Sequence, residues 1–195
     1  MKSRAAFVAA FVAALAAALV AALGIGLASR GAEVRRTFHA DGKPWSETRY
    51  AHGKPDGVWT TWYASGQIER QGAYADGFQE DTWKHWAENG TCLLEATYAH
   101  GRPQGPWIER WENGNTKYQG SYAAGQPAGL WSEFYDNGQK AIEGRYVDGQ
   151  REGPWKSWNR DGSFKGERTY RGGNILDAQG KPNSPSDVPS RQNPK

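Results

Sequence analysis

The sequence predicts an all-β fold, an elongated antiparallel β-hairpin solenoid of six 24-residue repeats that follows an N-terminal hydrophobic helix. Three observations carry this expectation. Trp59, Trp83, Trp107, Trp131 and Trp155 stand 24 residues apart, and Tyr74, Tyr98, Tyr122, Tyr146 and Tyr170 keep the same step. Gly66, Gly90, Gly114, Gly138 and Gly162 keep it too, each preceded by Ser, Asn or Asp. Asn-Gly and Asp-Gly between aromatic-rich runs mark tight hairpins, because both residues accept positive φ. Helix is excluded from this region, since glycine recurs too often to sustain one. A fixed period of this length is the signature of a stacked repeat architecture.

The repeat region spans 31–173, with units near 35–58, 59–82, 83–106, 107–130, 131–154 and 155–173. One unit, written from Trp59, reads as a strand to Tyr63, a turn at Ser65-Gly66, a strand over Gln67 to Tyr74 and a turn at Asp76-Gly77. A further glycine column, Gly57, Gly105, Gly129 and Gly153, is interrupted only by Asp81. Side chains alternate between the faces of a strand. Cys92, Leu94, Ala96 and Tyr98 therefore share one face, as do Ile68, Arg70, Gly72 and Tyr74. The small column Gly72, Ala96, Gly120 and Gly144 leaves room for an aromatic from a neighbouring strand. An isolated hairpin is marginal in water, so each unit is expected to be stabilised by stacking on its neighbours, advancing about 10 Å per unit. The first unit departs from the pattern, with Arg35 in place of the leading Trp.

Outside the repeats, residues 1–30 combine Lys2 and Arg4 with an uncharged run from Ala5 to Ala28. The pattern directs a chain to a membrane, as a signal peptide cut near Gly26-Leu27-Ala28 or as a retained signal-anchor helix, since roughly 20 apolar residues suffice to span. Either reading places the repeats at the cell envelope, facing the periplasm or exterior. Residues 174–195, rich in Pro, Ser, Asn and Gln, read as a disordered tail. The formal charge is +3, and Lys2 and Arg4 account for two of it. The near-neutral remainder argues against a nucleic-acid partner and does not favour lipid binding through the repeats. A single cysteine, Cys92, excludes an intramolecular disulfide, and no metal or cofactor motif is present.

The run Gly129-Leu-Trp131-Ser-Glu-Phe134-Tyr135-Asp-Asn137-Gly138, continuing to Tyr146-Val-Asp-Gly149, resembles the MORN repeat, specifically its bacterial, antitoxin-like variant. The resemblance covers about residues 35–173. It implies a twisted antiparallel β-solenoid acting as a protein-binding module or a membrane-proximal scaffold. Asp81 in place of a glycine, Arg110 of an aromatic and Asn159 of a tyrosine depart from the pattern.

Two rows of aromatics divide between the faces. Trp59, Trp83, Trp107, Trp131 and Trp155 are expected to pack, as large rings that pair across strands. Trp62, Trp86, Phe134 and Trp158 fall on the other face. They are read either as further packing residues or as a groove for a protein partner or a glycan. The column Glu47, Gln71, Glu95, Gln119, Glu143 and Glu167 reads as a solubilising row, with an acidic ladder for a cationic partner as the alternative. His52 and His100 read as turn residues. Every polar residue that could serve catalysis has a counterpart explained by the repeat, so no enzyme is expected. The function expected is a non-catalytic module binding a protein at the envelope, antitoxin- or immunity-like, with a cell-wall glycan-binding or envelope-organising scaffold as the alternative.

Overall fold

The computed structural model describes residues 32–181. They form a single antiparallel sheet of 13 strands in which spatial order equals chain order. Short and long strands alternate. The short ones after β1 (Glu33–Phe38) are β2 (Pro44–Ala51), β4 (Ile68–Ala75), β6 (Cys92–Ala99), β8 (Thr116–Ala123), β10 (Lys140–Val147) and β12 (Phe164–Arg171). The long ones are β3 (Lys54–Trp62), β5 (Phe78–Trp86), β7 (Arg102–Arg110), β9 (Gln126–Phe134) and β11 (Gln150–Trp158), and β13 (Asn174–Ile175) closes the sheet. No helix occurs among the described residues. The segment expected to be a signal or anchor, 1–30, lies outside them.

The turns that follow the long strands are built alike. Gly66 N–H donates to the Tyr63 carbonyl at 2.8 Å, and Tyr63 N–H donates to the Gln67 carbonyl at 2.9 Å. The same pair of bonds recurs at Ala87, Trp111, Tyr135 and Asn159, with glycine at positive φ each time. It also recurs at Asp177-Gly180, beyond the expected end of the repeats. Within the segment expected to be a tail, β13 pairs with β12 through Tyr170↔Ile175 and Arg171↔Asn174. Averaging composition over the whole tail concealed one apolar pair and one turn. The rest of the expected tail, 182–195, lies outside the described residues.

The long strands begin well before the tryptophan from which the sequence unit was written. The glycine column Gly57, Gly105, Gly129 and Gly153 lies inside them, at bulges where one residue of the preceding strand faces three. Arg49, for example, faces Asp56, Gly57 and Val58, between the pairs Thr48↔Trp59 and Tyr50↔Pro55. These glycines have φ between +69° and +120°, and Asp81 takes the same left-handed conformation at +57°. An L-residue pays roughly 1–2 kcal/mol there, somewhat less for Asp. Asp81→Gly should therefore raise the stability by about 1 kcal/mol, measured by the denaturant midpoint; an unchanged midpoint would show the aspartate to be unstrained.

The packed face carries a continuous aromatic ladder, alternating Trp and Tyr from Trp59 to Tyr170. Successive rings lie 5.0–6.5 Å apart, nearly all edge-to-face. Each such contact adds about 0.5–1.5 kcal/mol beyond area burial. Trp83, Trp107, Trp155, Tyr98 and Tyr170 are buried. The small column admits the neighbouring indoles as expected, since a Cβ on Gly72, Gly120 or Gly144 would collide with Trp83, Trp131 or Trp155. Those three indoles donate to the carbonyls of Ala73, Ser121 and Arg145 at 3.0–3.2 Å. Arginines cover the ladder at both ends. Arg35, where a Trp was expected, stacks on Tyr50 at 4.0 Å, and Arg151 stacks on Trp155 at 4.1 Å.

Burial, reinforced by the charges of Glu109 and of neighbouring tyrosines, pushes the Tyr122 phenol up to about 12. Its ordinary value is 10.0, so the folded state holds this proton more tightly than the unfolded chain. The associated stability is complete below about pH 10 and is lost as pH rises towards about 12. Alkaline unfolding should accordingly coincide with the late part of the tyrosinate absorbance titration, and Tyr122→Phe should shift it to higher pH.

Candidate functional site

The turn after each long strand shapes the face opposite the ladder. Pairing slips by one residue near every turn, between Thr61 and Trp62 in β3 and at the equivalent places in β5, β7, β9 and β11. Beyond the slip, Trp62 stands opposite Ile68, Trp86 opposite Cys92, Arg110 opposite Thr116, Phe134 opposite Lys140 and Trp158 opposite Phe164. Strict alternation placed Ile68 and Cys92 on the packed face; the bulge removes both from it. Strand parity cannot reveal a bulge, because the extra residue reverses the parity of everything beyond it.

The structure places Trp62, Trp86, Phe134 and Trp158 at equivalent positions of successive long strands and adds residues that sequence reasoning missed. Phe38 pairs with Pro44 at the head of the same row. Its signal was available, since it stands one period before Trp62. Two aligned rows result, running along the turn edge. The indoles and Phe134 are half-buried, whereas Phe38 is 58% exposed, Ile68 39% and Phe164 60%. Trp158 meets Phe164 edge-to-face at 6.2 Å, and the Lys140 ammonium lies 5.6 Å from the Trp158 ring. A shallow hollow lined by Gln67, Ile68, Trp86 and Gly90 is almost wholly apolar.

The backbone of the row is fixed from the preceding turn. Tyr63 Oη donates to the Trp86 carbonyl at 2.7 Å, Trp111 Nε1 to the Phe134 carbonyl at 3.2 Å and Tyr135 Oη to the Trp158 carbonyl at 3.0 Å. His39 Nε2 lies 2.8 Å from the Trp62 carbonyl. The residue that precedes Arg110 in this scheme is Ala87, whose methyl can donate nothing. A surface held in place before its ligand arrives loses less entropy on binding.

Inboard of the row the same face is polar and internally paired. Thr60 and Ser132 are buried there, accepting from Gln71 at 3.2 Å and donating to Glu143 at 3.0 Å respectively. Lys84 meets Glu95, Arg36 meets Glu47 and Lys140 meets Glu143. The Lys140 and Ser132 hydrogen bonds hold the Glu143 carboxyl below its usual range. At these positions the acidic column has partners of its own, which favours the solubilising reading. His52 and His100 occupy turns at positive φ, together with Asp76 and Asp148. Among the described residues, no group of three or more His, Cys, Asp and Glu is placed to hold a metal ion.

Comparison with known proteins agrees with the geometry. Residues 55–76, 103–124 and 128–148 match the family described as MORN repeat variant. Each matched segment runs from the early part of a long strand through the turn and the following short strand. MORN repeats are generally protein- or lipid-binding modules. No curated protein matches the chain.

Proposed function

We propose that this chain is a non-catalytic binding module that receives a protein partner along the aromatic row of its open face. The observation that carries this reading is the division of labour between two sets of aromatics. In the ladder Trp83, Tyr98, Trp107, Trp155 and Tyr170 are buried by their own neighbours, whereas in the other set Phe38, Ile68 and Phe164 are exposed and Trp62, Trp86, Phe134 and Trp158 are half-buried beside them. Half-exposed Trp and Phe rows with a polar surround have the composition of protein interfaces. Contiguous exposed apolar surface on a soluble face marks an interaction site. The paired charges inboard leave no basic field of the kind an anionic membrane attracts, which favours a protein over a lipid.

With the apolar N-terminal run read as a membrane-directing segment, the module works at the envelope, and the likeness to antitoxin-like MORN proteins makes a dedicated inhibitor or immunity role the finer reading. The exposed indoles also suit stacking on sugar rings, so a cell-wall glycan is the second candidate ligand.

The test uses the full chain as bait in a solubilised envelope extract, beside the triple variant Trp62→Arg, Trp86→Arg, Trp158→Arg. Arginine is chosen because Arg110 already occupies this column within the fold. One dominant protein, held at near-equal stoichiometry by the native chain and lost by the folded variant, is expected. Equal retention by both would overturn the row as the binding face. Retention of purified cell wall instead of protein would move the assignment to the glycan.

A further inference from the structure

Arg110 interrupts the aromatic row, and the interruption has a chemistry of its own. It is half-buried between the Trp86 and Phe134 positions, opposite Thr116. Its Nη1 is closed off from solvent and has no acceptor among the described residues. That nitrogen has lost hydration without gaining an acceptor, while the side chain as a whole is half-buried. An anion docking on its open edge would meet a charge that water only partly screens, where a charge-assisted contact is stronger than on an open surface. The flanking column positions are apolar, so a ligand that covers the row must bring apolar groups to both sides of one negative charge.

The spacing narrows the ligand further. Strands lie about 4.8 Å apart, so neighbouring column positions, two strands apart, are separated by about 9.6 Å. A polyproline II chain rises about 3.1 Å per residue with three residues per turn, returning a side chain to the same side every 9.3 Å or so. A β-strand covers that distance in about three residues too, but its side chains alternate with a period of two and would point the third one away. We infer, on the premise that the row is a protein-binding face, that Arg110 is a specificity determinant for a polyproline II segment carrying a carboxylate flanked three residues to either side by apolar side chains.

The probes are synthetic proline-rich peptides: one with a central glutamate and a leucine three residues away on each side, one with glutamine replacing the glutamate, and one with the leucines moved to two residues away. Binding to the full chain is followed by fluorescence anisotropy of labelled peptide. The glutamate peptide should bind at least about tenfold tighter than the glutamine peptide, and tighter than the respaced one. Arg110→Met should abolish the glutamate preference while binding the glutamine peptide as the native chain does, which also shows that the variant is folded. Equal binding of all three peptides, or a preference that survives Arg110→Met, would overturn the inference. Failure of every peptide to bind a folded chain would overturn it as well. If the envelope partner is still retained through the tryptophan row in that case, the binding face stands and its ligand is a folded surface instead.

Discussion

Gly120→Val should destabilise the sheet by about 3 kcal/mol or more, the upper range for overpacking a closed site. A side chain at this position meets the Trp131 indole directly. The molecule contains its own control for how far the site can yield. At Ala96 one methyl occupies the same column, and the local ladder is rearranged around it. Tyr74 and Tyr146 lie 5.0 Å from the tryptophans that follow them, and Tyr122 lies 5.1 Å from Trp131, but Tyr98 lies 6.2 Å from Trp107. The opposite spacing changes in compensation: Trp107 lies 5.1 Å from Tyr122, against 6.1–6.5 Å at the corresponding Trp-to-Tyr contacts elsewhere. The Trp107 N–H turns to Glu109 and not to a backbone carbonyl. One methyl is therefore absorbed by sliding the indole forward. Gly120→Ala should cost only about 1 kcal/mol, the worth of the displaced indole hydrogen bond. Two branched methyls exceed that slack. Denaturant midpoints for the alanine and valine variants check both numbers, and a valine variant no less stable than the alanine one would refute the packing account.

Trp107→Ala is expected to cost about 3–5 kcal/mol, the range for removing a buried aromatic side chain. Trp107 is 6% exposed and belongs to the cluster of Trp83, Ala96 and Tyr98, bridging Tyr98 to Tyr122. In a structure stabilised by nearest neighbours, loss of a central contact also uncouples what lies on either side. Unfolding should broaden or split into two transitions. Trp155→Ala, nearer the end of the ladder, should shift stability less and keep a single transition, as hydrogen exchange resolved by strand would show.

The two substitutions differ in how readable they were. The tryptophan ladder follows from periodicity alone, since a residue repeated without a phase error beside Asn-Gly and Asp-Gly turns has one structural use. The small column was also legible, because only a missing side chain admits an indole from the neighbouring strand. The turns at Gly66, Gly90, Gly114, Gly138 and Gly162 follow from the same chemistry.

The bulges were not legible. Gly57 and its successors read only as a further glycine column broken at Asp81, yet these positions are bulges inside long strands, because a glycine column says that positive φ is needed and not whether the chain then reverses or continues. The slips at Trp62 and Trp86 carried Ile68 and Cys92 across the sheet, so two residues of the candidate face were assigned to the core.

By itself, then, the sequence determined the turn positions, the packed ladder and the existence of a second aromatic row, since each is a local propensity or a repeated spacing. Only the tertiary structure decided what that row stands beside. The partners of Trp62, Trp86 and Phe134 are set by pairing register, a property of two strands together that neither strand's sequence contains. The place of Arg110 opposite Thr116 was decided in the same way, since it too follows from the slip in register near the turn.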